Sequence, residues 1–217
     1  MVRAPLTSGD LLDFLTPFAV IPVAWMLYRR LTSAPREKPS SREFWRTLGH
    51  ILAGVGIILY IDGHGLHLSA NAIARLLDPD RNPFLYSATY LFDEIISHFM
   101  WDGGVFLMAL ALIVASRKQR ARALNTVDAI LLGVGALSFG FTFTVNGIEG
   151  QTVMFTFPAA GLAFALALYL LRRSMKGKAF SPVPLFFAVA YGTSLILFAV
   201  WGILHRGFPQ FSELGWI

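Results

Sequence analysis

The chain has 217 residues, of which 55% are hydrophobic and only 14% charged, against about 25% charged in soluble globular domains; its mean hydropathy is +0.59. It has no cysteine, which excludes disulfides, thiolate metal sites and cysteine nucleophiles. The formal net charge of +5 is spread over loops, a distribution that suits anionic membrane lipids and argues against nucleic acid as a partner.

These values predict an all-α integral membrane protein forming one transmembrane helical domain over residues 1–217. Six apolar runs, of 18 to 30 residues, are each long enough to cross a ~30 Å hydrocarbon core. They cover residues 11–28, 44–72, 86–115, 127–145, 153–171 and 183–204. The basic stretch from Thr32 to Arg46, with Pro35 and Pro39, reads as a flexible connection. Asp78 to Pro83 reads as a turn between the second and third runs, and Asn146 to Gly150 as another between the fourth and fifth. Pro158 predicts a kink in the fifth run. Ala136 with Gly140 places small residues at helical spacing, which lets neighbouring helices approach closely.

Charge sets the expected orientation. Fourteen of the eighteen Lys and Arg residues fall in the odd-numbered connections: Arg29, Arg30, Arg36, Lys38, Arg42 and Arg46; Arg117, Lys118, Arg120 and Arg122; Arg172, Arg173, Lys176 and Lys178. Arg3, Arg75, Arg81 and Arg206 fall on the other side. Positive-inside bias then predicts a six-helix bundle with both termini outside, in a bacterial inner (plasma) membrane.

Polar residues interrupt two of the runs. The second carries Asp62, His64, His67 and Asn71, and the third carries Asp93, Glu94, Ser97, His98 and Asp102. At the helical repeat, Tyr60, His64, His67 and Asn71 share an arc of about 60°, with Asp62 pointing away. Tyr90, Glu94, Ser97, His98 and Trp101 share an arc of about 100°, with Asp93 and Asp102 just beyond its edges. Midpoints near residues 60 and 100 put His64, His67 and Glu94 about 6 to 11 Å, and His98 about 3 Å, outward of mid-depth. Asn146, Glu149 and His205 end on the same side, so the expectation is a polar cavity opening outward.

Neutral imidazoles with a carboxylate are ligands for zinc first, then copper or iron. The expected metal ligands are His64, His67, His98 and Glu94. A bound ion lowers the pKa of its water to about 7 and supplies a nucleophile. Glu94 and Asp93 are the candidate catalytic carboxylates, with Glu94 as alternative general base. Asp62, Asn71, Ser97 and Asp102 are candidates to orient the ligands from behind. An ionisable group inside a membrane marks function by default, although His, Asn and Ser also serve as interhelical hydrogen-bond glue.

Several chemistries are unsupported: HExxH, a P-loop and a dinucleotide fingerprint are all missing. The set Asp93, Ser97, His98 and His67 is similar in kind to the zinc sites of membrane hydrolases of the alkaline ceramidase and adiponectin-receptor group. That similarity implies a hydrolase holding zinc between spans. The chain departs from the group in having six runs rather than seven, and only His205 where the group has His-x3-His on its last span. The expected function is metal-dependent, hydrolase-like chemistry on a lipid-like or small apolar substrate. A metal-ion or proton transporter, a copper or iron oxidoreductase and a haem protein remain alternatives on the same histidines.

Overall fold

The structure, a computed structural model, describes residues 6–33, 39–119, 121–175 and 179–216, with the backbone alone for residues 39–42. Arg3, Pro35, Arg36, Lys38, Arg120, Lys176 and Lys178, counted above as connection residues, lie outside the described residues, as does the side chain of Arg42.

Among the described residues the fold is all-helical, without strands. The helices are α1 (Ser8–Thr32), α2 (Pro39–Ala74), α3 (Pro83–Tyr90), α4 (Ser97–Ala115), α5 (Thr126–Glu149), α6 (Val153–Ser174) and α7 (Pro182–His205). A π-helical turn, Leu91–Ile96, joins α3 to α4 in one rod that ends in a 3-10 turn at Lys118. Six of the resulting stretches are long and apolar enough to cross a membrane. They match the six apolar runs and lengthen each of them.

Two expected connections are helical in part, among the described residues. Pro39 starts α2, as a first helical position that needs no N–H allows, so the stretch from Pro39 to Arg46 is helix. Asn146 to Glu149 continue α5, because the Gly150 N–H still reaches the Asn146 carbonyl at 2.8 Å. The reversal is confined to Gly150–Thr152.

The helices divide into two groups. In the first, α2 packs most extensively on α4. A Cβ on Gly63 would sit 2.5 Å from the Trp101 nitrogen and 2.7 Å from the Ser97 carbonyl oxygen. One on Gly104 would sit 2.5 Å from the Tyr60 nitrogen and 2.7 Å from the Gly56 carbonyl oxygen. Gly56 and Gly63 on α2 therefore face Gly104 and Ser97 on α4 in antiparallel order, and backbone meets backbone at both levels.

Helix α1 joins this pair by its ends. Thr7 and Asp10 form a capping box, with Thr7 N–H donating to the Asp10 carboxylate at 2.6 Å and Asp10 N–H to Thr7 Oγ1 at 3.2 Å. Arg75 donates to the same carboxylate through both terminal nitrogens, at 2.6 and 2.9 Å. These bonds raise the Arg75 guanidinium above its already high ordinary pKa. At the other end Tyr28 is buried against Gly49 and His50. Between them α1 is mostly exposed, with Leu12, Phe18 and Val23 about two-thirds open.

In the second group, α5, α6 and α7 pack through small and aromatic side chains. Ala160, Ala163 and Ala167 of α6 are fully buried, as are Ala136 of α5 and Ala190 of α7. Gly140 lies against the Ala190 carbonyl. Tyr191 is enclosed by Phe139, Phe143 and Phe187. Away from the α5–α6 turn, Arg122 and Phe180 exchange backbone bonds, and Gln119 Oε1 accepts from Val183 N–H at 3.1 Å, tying the two loops there together.

At the opposite end the C-terminal segment folds back over the α5–α6 turn. Gln151 donates to Gln210 at 2.7 Å, Gln210 donates to the Glu149 carbonyl at 2.5 Å, and the Phe211 N–H donates to the Glu149 carboxylate at 2.8 Å. Trp201, Phe211 and Trp216 cluster beside it. We refer to this as the tail end.

Candidate functional site

The polar residues of α2 meet those of the α3–α4 rod beside the glycine seam. His67 Nδ1 lies 2.9 Å from Asp93 Oδ1, a close approach without hydrogen-bond alignment. The His67 and His98 rings meet edge to face, with centroids 4.9 Å apart. One turn from His98, Glu94 Oε2 is 3.9 Å from its Nε2. Trp101 floors the group, touching the rings of His64, His67 and His98.

The π turn explains why Asp93 faces His67. Its wider i→i+5 repeat advances less per residue than an α-helix and shifts the phase of everything before Ser97. Asp93 is buried, whereas Glu94 is half-buried. A regular helix over the same residues turns Asp93 outside the shared arc, which is the expectation the structure corrects. Ser97, fully buried, closes the turn by donating to the Asp93 carbonyl. Pairing of acids with histidines is legible in the sequence; the π turn leaves no comparable signal.

His64 takes a different partner. Its Nε2 lies 2.6 Å from the backbone carbonyl oxygen of Asp13 in α1, so Nε2 carries the proton and donates. The ring packs on Tyr60 and Trp101 rather than on the other imidazoles. Among the remaining candidates, Asp62 is exposed and Asn71 half-buried. Asp102 is buried at 2% exposure and accepts a 2.5 Å hydrogen bond from Thr152 Oγ1. The structure thus brings together His67, His98, Asp93 and Glu94, with Ser97 behind Asp93. It places His64 against α1, Asp102 against the α5–α6 turn, and Asp62 on the surface.

The level of the cluster also differs from the expectation. A Cβ on Gly150 would overlap the His98 ring, so His98 sits against the α5–α6 turn, at the ends of those helices and not near their middles. The 24 and 22 residues of α5 and α6 correspond to about 33 to 36 Å of helix. The site therefore lies at one end of that thickness, and the α2–α3 hairpin stands some 20 Å beyond it. The tail folds over the α5–α6 turn at this end. Glu149 is engaged by the tail, and His205 stacks on Trp201 with ring centroids 4.2 Å apart.

Satisfaction of polar atoms sets the cluster apart. Among the described residues, five buried side-chain polar atoms have no hydrogen-bond partner: His64 Nδ1, His67 Nδ1, Asp93 Oδ1, His98 Nε2 and the Tyr191 hydroxyl. Four of them lie around Trp101, and two of those, His67 Nδ1 and Asp93 Oδ1, face each other at 2.9 Å, which leaves His64 Nδ1 and His98 Nε2 with nothing opposite. Each such atom costs about 1–3 kcal/mol, and native proteins hold few of them unless an ion, water or function accounts for them. Among the described residues no group of three or more His, Asp or Glu side chains is placed to hold a metal ion.

Comparison of the chain with family models, curated proteins and solved structures finds no match.

Proposed function

We propose that the cluster is a metal centre set at the edge of a membrane, using His67, His98 and Glu94 as ligands and His64 as a further nitrogen donor. Support comes foremost from His64 Nδ1 and His98 Nε2, two buried ring nitrogens beside Trp101 that have no hydrogen-bond partner. Hydrogen-bond chemistry agrees. His64 gives its Nε2 proton to a carbonyl and His67 turns Nδ1 toward a carboxylate, the arrangement by which ligating histidines are oriented from behind. That leaves His64 Nδ1 and His67 Nε2 with their lone pairs. Two imidazoles sharing one ion at ~2.1 Å bring their ring centres to about 5 Å, close to the 4.9 Å between His67 and His98. Side-chain rotation about Cα–Cβ bonds completes the ligand set.

Zinc is the first choice, with copper or iron next. The ion's role is to activate water for hydrolysis of a lipid-like or small apolar substrate, with Asp93 orienting His67 and Glu94 serving as ligand or base. With the basic loops inside, the tail end faces outward, in the outer half of a bacterial plasma membrane. A second reading, a proton or ion pathway, is favoured by the facing of His67 to Asp93 and of His98 to Glu94.

The test is elemental analysis of protein purified in nanodiscs after exposure to zinc, copper and iron. Near-stoichiometric metal in the parent chain, lost in His67→Ala and His98→Ala, supports the metal centre. Absence of metal throughout, together with proton uptake by proteoliposomes that depends on the same residues, overturns it in favour of the pathway.

A further inference from the structure

The first helix contains two prolines, Pro17 and Pro22. Proline has no N–H, so each leaves the carbonyl four residues earlier without its helical donor. For Pro17 that carbonyl belongs to Asp13. It is the same carbonyl that His64 Nε2 reaches across from α2, at 2.6 Å. Carbonyls freed by proline inside an apolar bundle need a donor from a neighbouring element, and His64 provides it. Pro22 frees the Phe18 carbonyl one turn further from the site, which serves as an internal control.

We propose that Pro17 is a positioning residue for the site. By withholding its own N–H it makes the Asp13 carbonyl the acceptor that fixes His64 as the Nε2–H tautomer. Nδ1 is thereby left as the ring's acceptor, and that atom is buried and without a protein partner. The geometry also accounts for α1 docking where it does. The helix is largely exposed along its middle, and its tail-end ties are Arg75 to Asp10 and His64 to Asp13. In use of Nδ1 as a ligand, the inference rests on the metal centre proposed above; the tautomer itself does not.

The experiment is nitrogen-15 NMR of histidine-labelled protein in nanodiscs, with His64 signals assigned by their loss in His64→Gln. The parent chain is expected to show His64 protonated at Nε2. Pro17→Ala and Pro17→Ser both restore an N–H, return the Asp13 carbonyl to the helix ladder and shift His64 toward a mixture of tautomers. Pro22→Ala leaves the His64 signals in place. Metal affinity in the Pro17 variants is expected to fall about tenfold, as loss of an orienting partner does. A pure Nε2–H tautomer retained in both folded Pro17 variants overturns the proposal. Shifted tautomers in a chain that binds no metal leave the positioning role standing and remove the metal centre instead.

Discussion

The α2–α4 pair and the α5–α7 group handle buried polar atoms in opposite ways. In α5–α7 the hydroxyls of Thr144, Thr156 and Ser194 bond to carbonyls at 2.9, 3.1 and 2.9 Å, and only the Tyr191 hydroxyl is left unpaired. Between α2 and the α3–α4 rod, three imidazoles and a carboxylate keep unpaired atoms. The seam that holds them is glycine against backbone at two levels, Gly63 and Gly104, whereas α5 and α7 make one such approach, at Gly140. Rigid, close-fitting helices there carry unsatisfied chemistry, while the polar atoms of the apolar group mostly serve as fasteners. Buried polar atoms without partners are thus concentrated in one of the two groups.

Breaking the seam gives the largest effect. Gly104→Leu drives a side chain into the Tyr60 and Gly56 backbone, a clash that overpacking alone makes worth several kcal/mol. It is expected to abolish monodisperse folded protein on size exclusion. Gly133→Leu, in open space, is expected to stay within about 0.5 kcal/mol of the parent. Equal behaviour of the two dissolves the distinction between the regions.

Next comes the cluster. Asp93→Ala removes the carboxylate behind His67 and is expected to weaken metal binding about 10- to 100-fold, measured by competition with a chelating dye. Thr152→Val strands the Asp102 carboxyl without its donor and is expected to cost about 1–3 kcal/mol in SDS unfolding. Tyr191→Phe has the smallest expected effect. The lost hydroxyl has no partner to leave behind, so stability should stay within about 1 kcal/mol of the parent and on the stabilising side. Clear destabilisation by Tyr191→Phe means that this hydroxyl is satisfied after all, and the contrast with the cluster weakens.

Much of this was readable from the residues. Length and hydropathy give the six spans, and the arcs of His64, His67 and His98 with Glu94 mark the neighbourhood of the site. What stays hidden depends on geometry between elements. The phase of Asp93 depends on a π turn that no residue type announces. The partner of His64 is a backbone atom in another helix, visible only through Pro17 and the missing N–H. The level of the site is hidden too, because α2 and the α3–α4 rod are longer than α5 and α6 and their midpoints mark no common middle. Both run well past the ends of α5 and α6, as the contact of His98 with Gly150 shows.

The turn at Leu91–Ile96 has an evolutionary corollary. A π turn amounts to one residue added to an ordinary helix without a break in the rod. Removing a single residue between 91 and 96 therefore restores ordinary winding without turning α3, because five α-helical residues at about 100° sweep nearly the same angle as the six residues of the wider turn. That one deletion keeps Pro83 to Tyr90, and everything from Ser97 onward, facing as before, and confines the change to the turn beside His67.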